Sequence, residues 1–317
     1  MRYELLVSIF FLMQVPGRAI PINQLVAYRC YNILFDSLFA PNELTRAHAA
    51  EIIIQEMEAG NERNATDSFY ASLDHVYAEY AKAVARQIAY HSSQISRIPA
   101  ARALYRAGEK EILQQVILKA LDSNDLIDRI TAVEALGRLQ YLAAKPIFER
   151  EIKSTDSLMR IHALAALAHI GDPAAVPLLL AALKSDDADT RAIASWACGN
   201  IREKSAAPLL EELRYDSNPR VAFFAHRALA RMGVRDTLPF LRSALFHQND
   251  TELRYLAADA IGYFTDMSSI EVLSLAFHDP EPDVRLFAAS SLLKIAKQMP
   301  QSFTQKHLDL ITDIPWK

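Results

Sequence analysis

Glycine is scarce in this chain, at 8 of 317 residues, and cysteine scarcer still, at 2. Few glycines argue against turn-rich β architectures and flexible linkers, which need backbone that only glycine adopts cheaply. The two cysteines, Cys30 and Cys198, lie far apart. They make neither a disulfide framework nor a metal-ligand spacing, and both read as small buried hydrophobes. Positive charge is not in surplus: the formal net charge is −4 and the isoelectric point about 6.2. The chain as a whole lacks the basic footprint of a nucleic-acid binder. No segment is apolar for long enough to span a bilayer as a helix. Phosphate-binding glycine loops and Gly-x-Ser-x-Gly nucleophile turns are absent as well.

The N-terminus leaves two readings open. Leu5 to Met13 is a short, mostly apolar run followed by Gly17-Arg18-Ala19. That pattern resembles a secretory leader cleaved near Ala19, which would export the chain. Glu4 and Pro21 argue against it, and the alternative is a buried first helix in a cytoplasmic protein. Residues 1–20 form this hydrophobic N-terminus, and residues 21–95 an N-terminal helical region. In that region Ile22 to Phe39, Glu43 to Glu58, and a segment from Thr66 or Asp67 to His91 read as amphipathic helices. The stripe Phe69, Leu73, Val76 or Tyr77, Tyr80, Val84 and Ile88 reads as core rather than as a ligand box.

What the chain has in abundance is repetition. Pro146, Pro177, Pro208 and Pro239 are spaced 31 residues apart. Arg129, Arg160 and Arg191 keep the same step, as do Arg254 and Arg285. A fixed period of this length marks a stacked repeat architecture. The unit from Ser154 to Lys184 is the clearest. An N-cap at Thr155 or Asp156 is followed by Arg160, Ala163, Ala166, Leu167 and Ile170 at helical spacing, and Gly171 stops the helix. Asp172-Pro173 then starts a second helix carrying Leu178, Leu179 and Leu183. The units read as Asp125–Lys153, Asp156–Lys184, Asp187–Arg214, Asp216–His247 and Glu252–His278, with a terminal half from Asp283. Ala132, Ala163, Ala194, Ala225, Ala257 and Ala288 recur where first helices must approach closely. A weakened unit precedes them around Ala103 to Gly108, and Leu44 to Ala50 has degenerate repeat character. Residues 96–298 form the array, and 299–317 a C-terminal cap.

In the clearest unit, Asp156, Arg160, Ala163, Ala166, Leu167, Ile170, Gly171, Asp172, Pro177, Leu179 and Leu183 resemble HEAT-like repeats of the phycobilisome-lyase type. The resemblance spans roughly residues 97–297. It implies an all-α, right-handed α-solenoid of helix pairs, with the N-terminal helices as an extension. Such families include bilin lyases and protein-binding scaffolds. Related HEAT-repeat hydroxylases hold iron with His-Glu dipeptides, and this chain has none. His162 and His169 are seven residues apart and share a helix face, but two ligands rarely make a metal site. No metal, cofactor or catalytic residue is therefore expected. The pairs Asp125/Arg129, Asp156/Arg160, Asp187/Arg191 and Asp216/Arg220 read as helix caps and structural bridges.

In such solenoids the second helices line the concave face. By register Glu149, Leu180, Glu211, Arg242 and Leu273 would form a partner-binding ridge there. The mixed charge of these helices gives no continuous basic stripe, so nucleic acid is not the expected partner. The function expected is non-catalytic protein–protein interaction or scaffolding on the concave face. The alternative is a bilin-lyase-like protein that attaches or detaches a chromophore.

Overall fold

The computed structural model describes residues 21–62, 68–92 and 96–312. The apolar run at Leu5–Met13, with both of its readings, lies outside them. Regular structure among the described residues is entirely helical. Helices α1 (Ile22–Ser37), α2 (Glu43–Glu62) and α3 (Ser68–His91) come first. Tyr77 of α3 stacks on Tyr31 of α1 at 5.3 Å, and both are buried, so this part of the aromatic stripe is core. Phe69, Leu73 and Val76 lie outside the described side chains.

Helix α4 (Arg97–Arg106) and a π-helical segment, Leu113–Leu118, open the array. Five pairs follow: α5 (Leu126–Arg138) with α6 (Lys145–Glu151), α7 (Ser157–His169) with α8 (Ala175–Ala182), α9 (Ala188–Ile201) with α10 (Ala207–Leu213), α11 (Pro219–Arg231) with α12 (Leu238–His247), and α13 (Thr251–Ile261) with α14 (Met267–Leu275). Helices α15 (Pro282–Gln298) and α16 (Gln305–Thr312) complete the described chain.

Local chemistry explains the punctuation. Asp125, Asp156 and Asp187 cap α5, α7 and α9 by accepting from free backbone N–H groups. Asp250 caps α13. In the α11 unit the expected Asp216/Arg220 pair does not form. Asn218 is the cap, while Asp216 accepts from the Asn218 N–H and pairs with Arg191 at 2.8 Å. Arg220 reaches Glu252 of the next unit instead. Gly171 takes the left-handed conformation expected of it, at φ +78°. Gln140 and Arg202 occupy equivalent helix ends at φ +52° and +53° without being glycine, which costs each roughly 1 kcal/mol.

The periodic arginines are loop clamps. Arg129, Arg160, Arg191, Arg254 and Arg285 each donate to the carbonyl six residues back, in the loop that enters the helix. Arg46 does the same to Ala40 and Pro41, which identifies α2 as a further first helix of the repeat.

First helices then stack side by side. Ala132, Ala163, Ala194, Ala225, Ala257 and Ala288 are all fully buried. Gly137 faces Ala166, and Gly199 faces Ala228, so closely that a methyl on either glycine would sit 2.7 Å from a backbone Cα. Bonds between neighbours repeat the period: Arg97 to Asp128, Arg227 to Asp259 and Ser291 to the Ala258 carbonyl.

The stack does not stay open. Helix α1 packs along α15, and α2 lies beside it. Thr45 donates to Asp283 at 3.0 Å, His48 meets the same carboxylate at 3.1 Å, and Lys297 reaches Glu56 at 3.2 Å. Starts meet starts and ends meet ends, so α2 runs parallel to α15 as a next repeat would. On its other side α2 meets α4 through Glu43–Ser96 and Glu51–Arg102. Helices α2, α4, α5, α7, α9, α11, α13 and α15 thus form a closed inner ring. Of the N-terminal helices expected as an extension, α2 completes that ring, and α16 packs on α14 and α1.

Ala194→Asp, which places an unpaired carboxylate at a fully buried contact between stacked helices, is expected to lower the thermal midpoint sharply. An unchanged melting curve would show that this face is not packed. Gln140→Gly is expected to raise stability by about 0.5 kcal/mol in denaturant titration, since relief of backbone strain outweighs added unfolded-state freedom.

Candidate functional site

Toward their C-terminal ends the inner helices present charge to the centre of the ring. Arg102, nearly fully buried, grips Glu51 through Nε at 3.0 Å and Nη2 at 2.6 and 2.8 Å. Arg138 pairs with Glu134 one turn back at 3.3 Å, and Arg106 donates to the Arg138 carbonyl. Arg227 donates to Asp259 at 3.0 Å. Arg231 lies 3.7 Å from the same carboxylate and donates to the Tyr263 hydroxyl and the Gly199 carbonyl. Lys294 of α15 is near enough to Asp259 to act on its charge. These groups communicate across the ring: Arg138 on α5 senses both Glu51 on α2 and Asp259 on α13.

Parallel packing explains why cations gather here. The inner helices point the same way, so their partially negative C-termini collect at one mouth. Arg106, Arg138, His169, Arg231 and Lys297 all fall in last turns. Burial opposes ionisation of Glu51, but Arg102 and Arg138 outweigh it and hold its carboxyl well below the usual range. Burial likewise opposes ionisation of Asp259, and Arg227, Lys294 and Arg231 overcome it.

His162 and His169 do share a face, and both lie beside Trp196, with ring centroids 6.3 and 6.0 Å away. Burial pushes both imidazoles down, His169 to about 4 with help from Arg138. Among the described residues no three His, Cys, Asp or Glu side chains converge to hold a metal ion. Cys30 and Cys198 are buried free thiols, and burial pushes Cys198 up to about 12.

The ridge expected on the concave face is elsewhere. First helices carry alanine and glycine at their contacts, approach closely and take the short inner circumference. Second helices carry leucine and phenylalanine and are displaced to the outer layer. Glu149 is therefore exposed on the outside, with Leu180, Glu211 and Arg242 half-buried beside it. Leu273, on α14, is fully buried and offers no surface. Glu211 is held by Arg214 at 2.7 Å, and Arg242 by Ser268. Sequence reasoning passed over the inner charges. The available signal was a charged residue in the middle of an alanine-rich first helix: Arg102 among Ala100, Ala101 and Ala103, Glu134 beside Ala135, Arg227 beside Ala228, Asp259 beside Ala258 and Ala260.

The architecture is that of an all-helical repeat protein built from stacked helix pairs. A family model for HEAT repeats matches residues 114–197, 147–222, 176–250 and 238–308, and the chain belongs to that family. A comparison with curated proteins finds no match. Among solved structures, the chain is similar to the CpcE–CpcF complex of phycocyanin lyase from Nostoc sp. PCC7120, with 23% identity and a TM-score of 0.49, covering 73% of this chain and 93% of that one. Human deoxyhypusine hydroxylase is 18% identical with a TM-score of 0.44, over 78% of this chain and 98% of that one. A Kap121p mutant is 14% identical with a TM-score of 0.33, over 91% of this chain and 40% of that one. Likeness at these levels concerns the fold. Among the described residues no helix is long and apolar enough to cross a membrane.

The one-sided cost of the inner pair is measurable. Glu51→Gln is expected to destabilise by about 3–5 kcal/mol because it leaves the Arg102 guanidinium buried without its counter-charge. Adding Arg102→Met should restore much of that loss in denaturant titration; strictly additive losses would mean the pair is not coupled. The histidines set a pH slope. The folded pKa of His169 is depressed, so its stabilisation is full above the ordinary imidazole pKa and is lost as pH falls toward about 4. Denaturant titrations from pH 7 to pH 4 should show a shallower decline for His169→Phe than for wild type.

Proposed function

We propose that this HEAT-repeat chain is a non-catalytic scaffold that binds a protein partner on its outer helices. The observation that carries the reading is a pair of exposed aromatic side chains. Tyr215 follows α10 and Phe246 lies in the last turn of α12, 31 residues apart in the repeat. Tyr215 is 82% and Phe246 43% exposed. Large apolar groups repeated on adjacent helices roughly 10 Å apart make a surface that a partner covers, unlike single scattered ones. Glu211 and Arg242 lie on the same two helices and provide oppositely charged groups for a partner to orient against.

The test is affinity capture on the intact chain with mass spectrometry of bait and prey. A stoichiometric protein partner should be retained by wild type. Tyr215→Ser with Phe246→Ser should lose it, and Glu211→Arg with Arg242→Glu should weaken it. Retention by both variants would reject the outer face as the binding surface. A co-purifying coloured tetrapyrrole without a protein partner would favour the chromophore-lyase alternative instead.

A further inference from the structure

One corner of the inner ring holds more positive charge than its neighbours compensate. Arg227 and Arg231 on α11 share the single carboxylate of Asp259, at 3.0 and 3.7 Å. Arg231 and Arg202 both lie against the Tyr263 ring, with guanidinium carbons 4.8 and 5.9 Å from its centroid. Lys294 adds a fourth cation near Asp259 and Tyr263. Among the described residues no carboxylate lies within ion-pair distance of Arg202 or Lys294. Arg227 is only 5% exposed, yet its Nε and Nη1 have no hydrogen-bond partner among the described residues. Buried donors of a charged group are rarely left this way.

The backbone adds a second, independent observation. Arg202 ends α9 in the left-handed conformation, at φ +53°. The corresponding helix ends of two other units use Gly171 and Gly233. Glycine would be less strained there, so the arginine is kept at a backbone cost that glycine would avoid. The Arg202 side chain is exposed at the C-terminal mouth of the ring.

We propose that Arg202, Arg227, Arg231 and Lys294, with the Tyr263 hydroxyl, form a binding site for a small phosphate-bearing molecule at the C-terminal mouth of the ring. Guanidinium forks match phosphate oxygens in geometry, and the lysine supplies a point charge beside them. Asp259 holds the two α11 arginines in place and leaves a surplus of three positive charges among these groups.

The probe is inorganic pyrophosphate, titrated calorimetrically into the full chain at constant ionic strength. Wild type should bind it saturably with one site per chain. Arg202→Gly should weaken binding by about tenfold or more, the effect of losing a hydrogen bond to a charged group. Glycine suits φ +53°, so this variant should melt no lower than wild type, which separates lost binding from lost fold. Lys294→Met should weaken binding similarly, through a residue on the opposite flank of Asp259. Absence of saturable binding by wild type would overturn the proposal. So would affinities unchanged in both variants.

Discussion

Everything in this molecule depends on how closely one first helix can lie against the next. Alanine and glycine at the contacts let the inner helices approach until backbone meets side chain, as at Gly137 and Ala166 or Gly199 and Ala228. The outer helices pack onto the inner ones through Phe148, Leu179, Leu210 and Leu241, all fully buried, and these larger groups keep them further out. A stack that is tight inside and wide outside must bend. The arginine clamps fix how each loop enters its helix, so the bend repeats from unit to unit.

Closure of the ring changes what the inner surface is. In an open solenoid that surface would face solvent, and its charges would be screened. Here the charged side chains of opposite helices approach one another. Glu51, Glu134 and Asp259 each have an arginine within reach, and the charge left over concentrates around Tyr263. Buried ion pairs of this kind say little about net stability, but they make each partner costly to remove alone.

What could be read from the sequence was whatever lies within one repeat. Caps, left-handed glycines, alanine contacts and the period itself are local, so Asp156, Gly171 and Ala163 took the roles their types suggested. Ring closure joins Thr45 to Asp283 across 238 residues, and no periodicity announces such a contact. Its trace in the sequence is the degenerate repeat at Leu44 to Ala50, whose Arg46 takes the clamp role. A hydrophobic period shows which face of a helix is buried, not which layer takes the inner circumference, so the ridge expected on the concave face falls on the outer layer instead. Leu273 shows the same limit: its type suits both a docking surface and a core, and packing decided for the core. The inner charges were visible as residues, but their cross-ring partners follow only once the ring is closed.

A linear array has two ends, and each end unit has one neighbour fewer than the rest. Such ends fray, which is why open arrays carry specialised terminal units. Here the inner helix that starts the circle is covered by the one that finishes it. Amide protons of α2 and α15 therefore belong with those of α7 and α9 in their resistance to exchange, and loosening any one seam turns a structure without ends into one with two.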